Sequence, residues 1–308
     1  MSGNQDYWWK FGAEIFLSDV INKINLSRNS EHLVDSVSPL FDALNKLWNQ
    51  YFLYRNNDPV NRRDTSSFRQ LLLETLPEIS KRELCEGTQL KELVRLSPKI
   101  MNHATLMDFS YDPDHITEQQ KEQSQREHRE LNEEYDRFHS RNKETRSSTK
   151  LIKKLVRLLF VIRSNIMHGE KTPHGPDKNK VKRDETVCAA VLPLLEIVLD
   201  YLFDSPSQKL CAYGTLAPGA VNHYILENLA GEWYPGHVKG NISYKNNLPY
   251  FQWDLGEQRI DVQVFQSLEL CKKYDEIDDF EGSAYRRVLV PVKTARSFEV
   301  ANIYEGGK

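Results

Sequence analysis

Glu281 stands beside Gly282 in Asp279-Phe280-Glu281-Gly282-Ser283-Ala284-Tyr285-Arg286-Arg287, a carboxylate placed just ahead of a tyrosine and two arginines. A carboxyl group so placed can take up and return a proton during a reaction. Earlier, Tyr213-Gly214-Thr215-Leu216 follows the apolar run Leu210 to Ala212, which reads as a strand entering a loop that glycine permits. Bare backbone N–H groups in such a loop can face an anionic ligand. A third word, Arg163-Ser164-Asn165-Ile166-Met167-His168-Gly169, joins a permanent cation to a side chain that titrates near neutral pH.

The first two words together resemble the gamma-glutamylcyclotransferase-like family, in which a Tyr-Gly-Ser/Thr-Leu loop after the first strand and a Glu-Gly with a Tyr-x-Arg tail form one small site. The resemblance covers about the last third of the chain, from Leu210 to Lys308. It implies that Tyr213, Gly214, Thr215, Leu216 and Tyr285 bind the substrate, a γ-glutamyl small molecule or peptide, and that Glu281 is the acid/base. The implied reaction is attack of the glutamyl α-amine on its own γ-carbonyl, expelling an amine and closing 5-oxoproline. The α-amine is mostly an ammonium at neutral pH, so a base must act first. Backbone N–H groups of the loop would hold the oxyanion. The resemblance implies no metal and no cofactor.

The third word resembles the HEPN family of helical domains, whose members carry an Arg-x(4 to 6)-His motif in a bundle of four or five helices and often act as metal-independent ribonucleases. It implies His168 as base or acid, Arg163 as phosphate clamp and Asn165 as a positioning aid, with RNA as substrate and a homodimer formed through the helical domain. RNA cleavage through the 2′-hydroxyl needs a proton acceptor and a cation for the phosphorane, which histidine and arginine supply. A five-residue offset turns about 140° on an ideal helix, so the pair shares a face only where the helix ends near His168. Gly169 offers such an end. The basic residues Lys153, Lys154, Arg157, Lys171, Lys178, Lys180, Lys182 and Arg183 are candidates for a phosphate-facing patch.

The elements that must position these words divide the chain in two. At 308 residues the chain is long enough for two cores. The boundary falls at Asp204-Ser205-Pro206-Ser207-Gln208, giving a helical HEPN-like domain over 1–204 and a cyclotransferase-like domain over 205–308. The fold class expected is a helical bundle followed by a small mixed α+β barrel. Leu40 to Tyr54, Phe68 to Leu76, and Val187 to Phe203 with Pro193 as a kink read as helices. Gln258 to Phe265 and Arg287 to Val292 read as strands. Residues Asp114 to His168 contain no glycine or proline, and Leu131, Tyr135 and Phe138 form a thin apolar stripe. That pattern predicts an extended charged helical arm or hairpin around 114–150 with a break at Glu144 to Thr149, and a partly disordered charged insertion is the alternative.

Other aromatic residues and histidines have more ordinary uses. Tyr7-Trp8-Trp9-Phe11 reads as a packing anchor, and His174 sits in a Pro/Gly loop. Trp233, Tyr234, Tyr250 and Trp253 are available either to wall a ligand pocket or to pack a core.

A net charge of −3 gives no global case for binding nucleic acid or membrane, so such a partner must meet a local patch. Cys85, Cys188, Cys211 and Cys271 form neither a C-x-x-C pair nor a cluster with histidine, which fits reduced thiols. The start of the chain lacks the basic-then-apolar order of a signal peptide, and no apolar run is long enough to span a bilayer. A cytoplasmic protein is expected. Three functions follow: a γ-glutamyl cyclotransferase dimerised by its helical part, an RNase effector of a toxin or defence system whose barrel senses a metabolite, and a non-catalytic interaction scaffold.

Overall fold

The computed structural model describes residues 13–56, 64–101, 118–140, 147–167, 178–245, 248–254, 256, 258–295 and 298–306. Its contacts divide it into two units: Leu26–Tyr201, and Leu202–Lys308 joined by the first described helix as far as Asn25. The division therefore differs from a single cut at 204/205. No described helix is long and apolar enough to cross a membrane.

The first described helix is α1 (Ala13–Arg28), and the helical unit follows it. Its elements are α2 (Leu33–Asn56), α3 (Asp64–Thr75), α4 (Glu78–Glu86), α5 (Thr88–Met101), α6 (Glu118–Ser140), α7 (Thr149–Met167) and α8 (Lys178–Leu202). On α2, Val37, Leu40, Phe41, Leu44, Leu47, Trp48 and Tyr51 recur at helical spacing and all are buried. Helix α7 touches α2 through α6, and its buried residues Leu151, Ile152, Leu155, Val156, Leu158, Leu159 and Ile162 cover more than one face. An almost all-round apolar surface of this kind belongs to a central helix. Trp48, Phe68 and Phe160 meet there, with ring centroids 5.0 to 6.1 Å apart. Pro193 lies inside α8, as expected.

Helix α6 packs on α5 and α7, burying Leu131 and Phe138. The narrow stripe suffices because the flanking charges are paired across the seam, Glu130 with Lys154 and Glu127 with Arg157 at 3.1 Å. Two of the cations assigned to a phosphate patch are thus engaged by carboxylates. The first half of the expected break, 144–146, lies outside the described residues, and α7 begins at Thr149.

The second unit contains β1 (Lys209–Ala212), α9 (Tyr224–Glu227), β2 (Glu232–Lys245), β3 (Leu248–Trp253), β4 (Arg259–Gln266), α10 (Leu270–Glu281), β5 (Tyr285–Thr294) and β6 (Phe298–Gly306). The strand order is β3-β2-β4-β1-β6-β5, and β5 returns to β2 at Gly236↔Thr294 and His237↔Lys293. Five strands thereby close a small barrel, with β3 as an added strand on the second half of β2. Strands β1 and β6 run parallel, and every other pair is antiparallel.

Alternation along the strands sorts residues into two cores. Val238, Phe251, Ile260, Val262, Val264, Val288, Val290 and Ile303 fill one. Leu210, Ala212, Phe265, Leu270, Tyr274 and Ile277 form the other, where α10 covers the sheet. Strand β1 contributes to both and is buried throughout, which explains its short uninterrupted apolar run.

Helix α1 is tied to this barrel. The Asn25 carboxamide donates to the Leu289 carbonyl at 2.9 Å and accepts from the Leu289 N–H at 2.8 Å. Glu14 pairs with Lys239 at 3.0 Å.

Candidate active site

Loop and helix end meet at one cavity of about 300 Å³. Its lining includes all six residues assigned to the cyclotransferase-like site, Tyr213, Gly214, Thr215, Leu216, Glu281 and Tyr285. The loop arises where β1 ends. Its backbone turns back on itself through Ala217 N–H to Gly214 C=O at 3.1 Å and Asn222 N–H to Thr215 C=O at 3.0 Å. Leu216 is buried and packs against Leu226 and Phe265, pinning the turn from below. The N–H groups of Gly214, Thr215 and Leu216 make no hydrogen bond within the described chain. Such uncommitted donors at a cavity wall suit a developing negative charge.

Glu281 is the last residue of α10. Gly282 follows at φ 64° and ψ −168°, a region essentially closed to residues with a side chain. That conformation ends the helix and sends the chain through a 3₁₀ turn into Tyr285, so the Glu-Gly word has a geometric cause. The half-buried Glu281 carboxyl accepts no hydrogen bond from the described residues. Burial, and then the charge of Asp278 one helical turn earlier, push it up to about 7. Asp278 is itself held in place. Arg287 meets both of its oxygens at 3.0 Å, the Tyr304 hydroxyl donates to Oδ1 at 2.6 Å, and the Arg287 guanidinium lies 4.0 Å from the Tyr274 ring centroid.

The two tyrosines in the site are walls rather than donors to a ligand. Tyr213 gives its hydroxyl proton to the Tyr304 carbonyl at 2.8 Å and accepts from the Phe251 N–H at 3.4 Å. Tyr285 donates to the Pro249 carbonyl at 3.1 Å and stacks on Tyr250 with centroids 5.0 Å apart. Sequence reading missed Asn222, Leu248, Pro249, Phe280 and Tyr304, which also line the cavity. Phe280 was adjacent to a named residue, while the others reach the site from distant strands and turns. The Asn222 side chain and the Thr215 hydroxyl make no hydrogen bond within the described chain, so both can serve a ligand.

None of Trp233, Tyr234, Tyr250 and Trp253 lines the cavity. Trp233 stacks on Phe265 at 4.7 Å, Tyr234 donates to Glu299 at 2.9 Å, and Trp253 packs against the barrel core. In the helical unit, the Arg163 guanidinium lies 5.9 Å from the Trp48 ring centroid and 5.8 Å from that of Phe160. Asn165 is within α7, and its side chain lies outside the described residues together with His168, His174 and the Tyr7-Trp8-Trp9-Phe11 cluster.

No family model matches the sequence, and no curated protein matches it. Three solved structures are similar to the C-terminal third of the chain, each across 32% of it. YkqA of Bacillus subtilis is 27% identical with a TM-score of 0.29, and the match spans 36% of that chain. Just over a third of YkqA is therefore represented here. The uncharacterised protein PH0828 of Pyrococcus horikoshii is 27% identical with a TM-score of 0.26 over 78% of its chain. An aig2-like protein (ggact) of Mus musculus is 18% identical with a TM-score of 0.28 over 77% of its chain.

Proposed function

We propose that the barrel unit is a cyclotransferase that releases 5-oxoproline from γ-glutamyl amines, with Glu281 as its acid/base. The observation that carries this reading is the pairing, across one cavity, of a half-buried carboxyl lacking any hydrogen-bond partner in the described chain with a loop of uncommitted N–H groups. A carboxyl pushed up to about 7 can exchange protons with an amine near neutral pH far better than an ordinary glutamate.

In the proposed reaction, Glu281 takes a proton from the substrate's α-ammonium. The freed α-nitrogen forms a bond to the γ-carbon, and the resulting oxyanion rests on the N–H groups of Gly214, Thr215 and Leu216. The γ-carbon to amine bond then breaks as Glu281 returns the proton to the departing nitrogen, and the ring nitrogen gives up its second proton to Glu281, which passes it to solvent. The products are 5-oxoproline and a free amine, and no outside reactant is consumed. Asn222 and Thr215 orient the glutamyl portion, while the Tyr213 and Tyr285 rings bound it.

The test is 5-oxoproline release from a set of L-γ-glutamyl amides by the full chain and by its Glu281→Gln variant. Release by the wild type that falls at least about a thousandfold in the variant supports the proposal. Equal rates, or none with any amide, overturn it. The helical unit is assigned no reaction in this proposal.

A further inference from the structure

The cavity has an uneven chemical character that bears on which amine departs. Its lining joins the loop, Thr215, Asn222 and Glu281 to Leu248 and Phe280, which are still 45% and 42% exposed. Pro249, Ala284 and Tyr285 continue an apolar lining, and the Tyr285 hydroxyl is already committed to the Pro249 carbonyl. Among the described lining residues there is no lysine, arginine or histidine, and Glu281 is the sole carboxyl. Arg286, next to Tyr285 in the chain, is bound through two nitrogens to Glu305 at 2.9 and 2.7 Å.

Resting on the cyclotransferase reading, we infer that the departing amine is apolar and carries no carboxylate, its side chain lying on Leu248 and Phe280. Exposed leucine and phenylalanine on a cavity lining remain costly in water until something apolar covers them. A dipeptide-like leaving group would bring a second carboxylate into a lining whose described residues include no cation, where it would lose water without gaining a partner among them. The substrate's own α-carboxylate is different, since the Thr215 hydroxyl and the Asn222 carboxamide can donate to it.

The experiment compares L-γ-glutamyl-benzylamide with L-γ-glutamyl-L-glutamate on the full-length protein. Turnover is followed as 5-oxoproline release by the wild type, and binding is followed by calorimetry on the Glu281→Gln variant. The expected result is at least about a tenfold preference for the benzylamide in kcat/KM and in binding. Leu248→Arg, at an exposed position, should narrow that ratio by about tenfold by replacing apolar area with a cation. A binding preference without turnover would uphold the amine class while refuting the cyclisation. Equal binding, preference for the dipeptide, binding of neither ligand, or a ratio unmoved by Leu248→Arg would overturn the inference.

Discussion

Asn25 and Leu289, 264 residues apart, exchange two hydrogen bonds through the asparagine carboxamide and the leucine backbone. The side chain acts there as a one-residue strand. Strand β2 pairs with β5 only at its far end, near Thr294, so Leu289 lies where β5 has no strand on that edge. Both residues are buried. Asn25→Ala should lower stability by about 2 kcal/mol, because it leaves a buried donor and acceptor unpaired. Chemical denaturation checks this, and a loss below about 0.5 kcal/mol would mean that water or a shift of β5 replaces the carboxamide.

Glu281 gives stability an unusual pH dependence. Its folded pKa is raised from 4.5 to about 7, so the folded state binds the proton more tightly than the unfolded state. That contribution is complete below about pH 4.5 and disappears as pH rises through 7. Glu281→Gln should therefore match the wild type near pH 4 and exceed it near pH 8 by about 2 kcal/mol, the full linkage value being reduced because the carboxyl is partly exposed to solvent. Melting curves at the two pH values decide the matter, and a variant that is equally stable or weaker at pH 8 contradicts the burial argument.

Asp278 should set part of the same titration. Removing its charge in Asp278→Asn leaves burial as the main cause, and Arg287 then stands nearby without its carboxylate partner. Both changes favour the ionised Glu281. The acid limb of 5-oxoproline release should move to lower pH, and the Glu281 side-chain carbon signal in NMR should titrate lower by the same amount. An unmoved titration would separate the two carboxyl groups electrostatically.

Tyr304 joins the cavity lining to this network, since its hydroxyl donates to Asp278 at 2.6 Å while its carbonyl receives the Tyr213 hydroxyl. Tyr304→Phe removes only the first contact. We expect about 1.5 kcal/mol of lost stability, as befits a hydrogen bond to a charged acceptor, with the loop unmoved. Denaturation measures the first effect, and the amide chemical shifts of Gly214 and Thr215 report the second.

The parts of the site that could be read in the sequence are those whose causes are local. Tyr213 to Leu216 followed a short apolar strand and carried its own glycine, and Glu281 was marked by the glycine that ends its helix. Strand β4 and helix α8 announced themselves by alternation and by a long apolar stretch. Asn222 and Tyr304 gave no comparable sign, because their place in the cavity depends on how separate strands close. Asn25 is plainer still: a polar residue on an apolar helix face has many uses, and its partner belongs to the other end of the chain. The packing of helix α6 is hard to read for a related reason: its thin apolar stripe is supported by Glu127 and Glu130 pairing with Arg157 and Lys154, residues of another helix.

Gly282→Ala meets no steric neighbour, since nothing lies within 4 Å of the added Cβ. Its penalty should come from backbone conformation alone, about 1–3 kcal/mol, together with loss of 5-oxoproline release. Intact release with unchanged stability would show that the turn can adopt another shape.

That conformation also changes how a mutational survey of this site must be read. Gly282 has no side chain to touch a substrate, yet the direction in which the glutamate faces is encoded in its handedness. A survey that truncates side chains to alanine ordinarily measures what is removed. At this position it would measure what is added, and a severe loss of activity would point to an achiral hinge one residue away from the group that moves the proton.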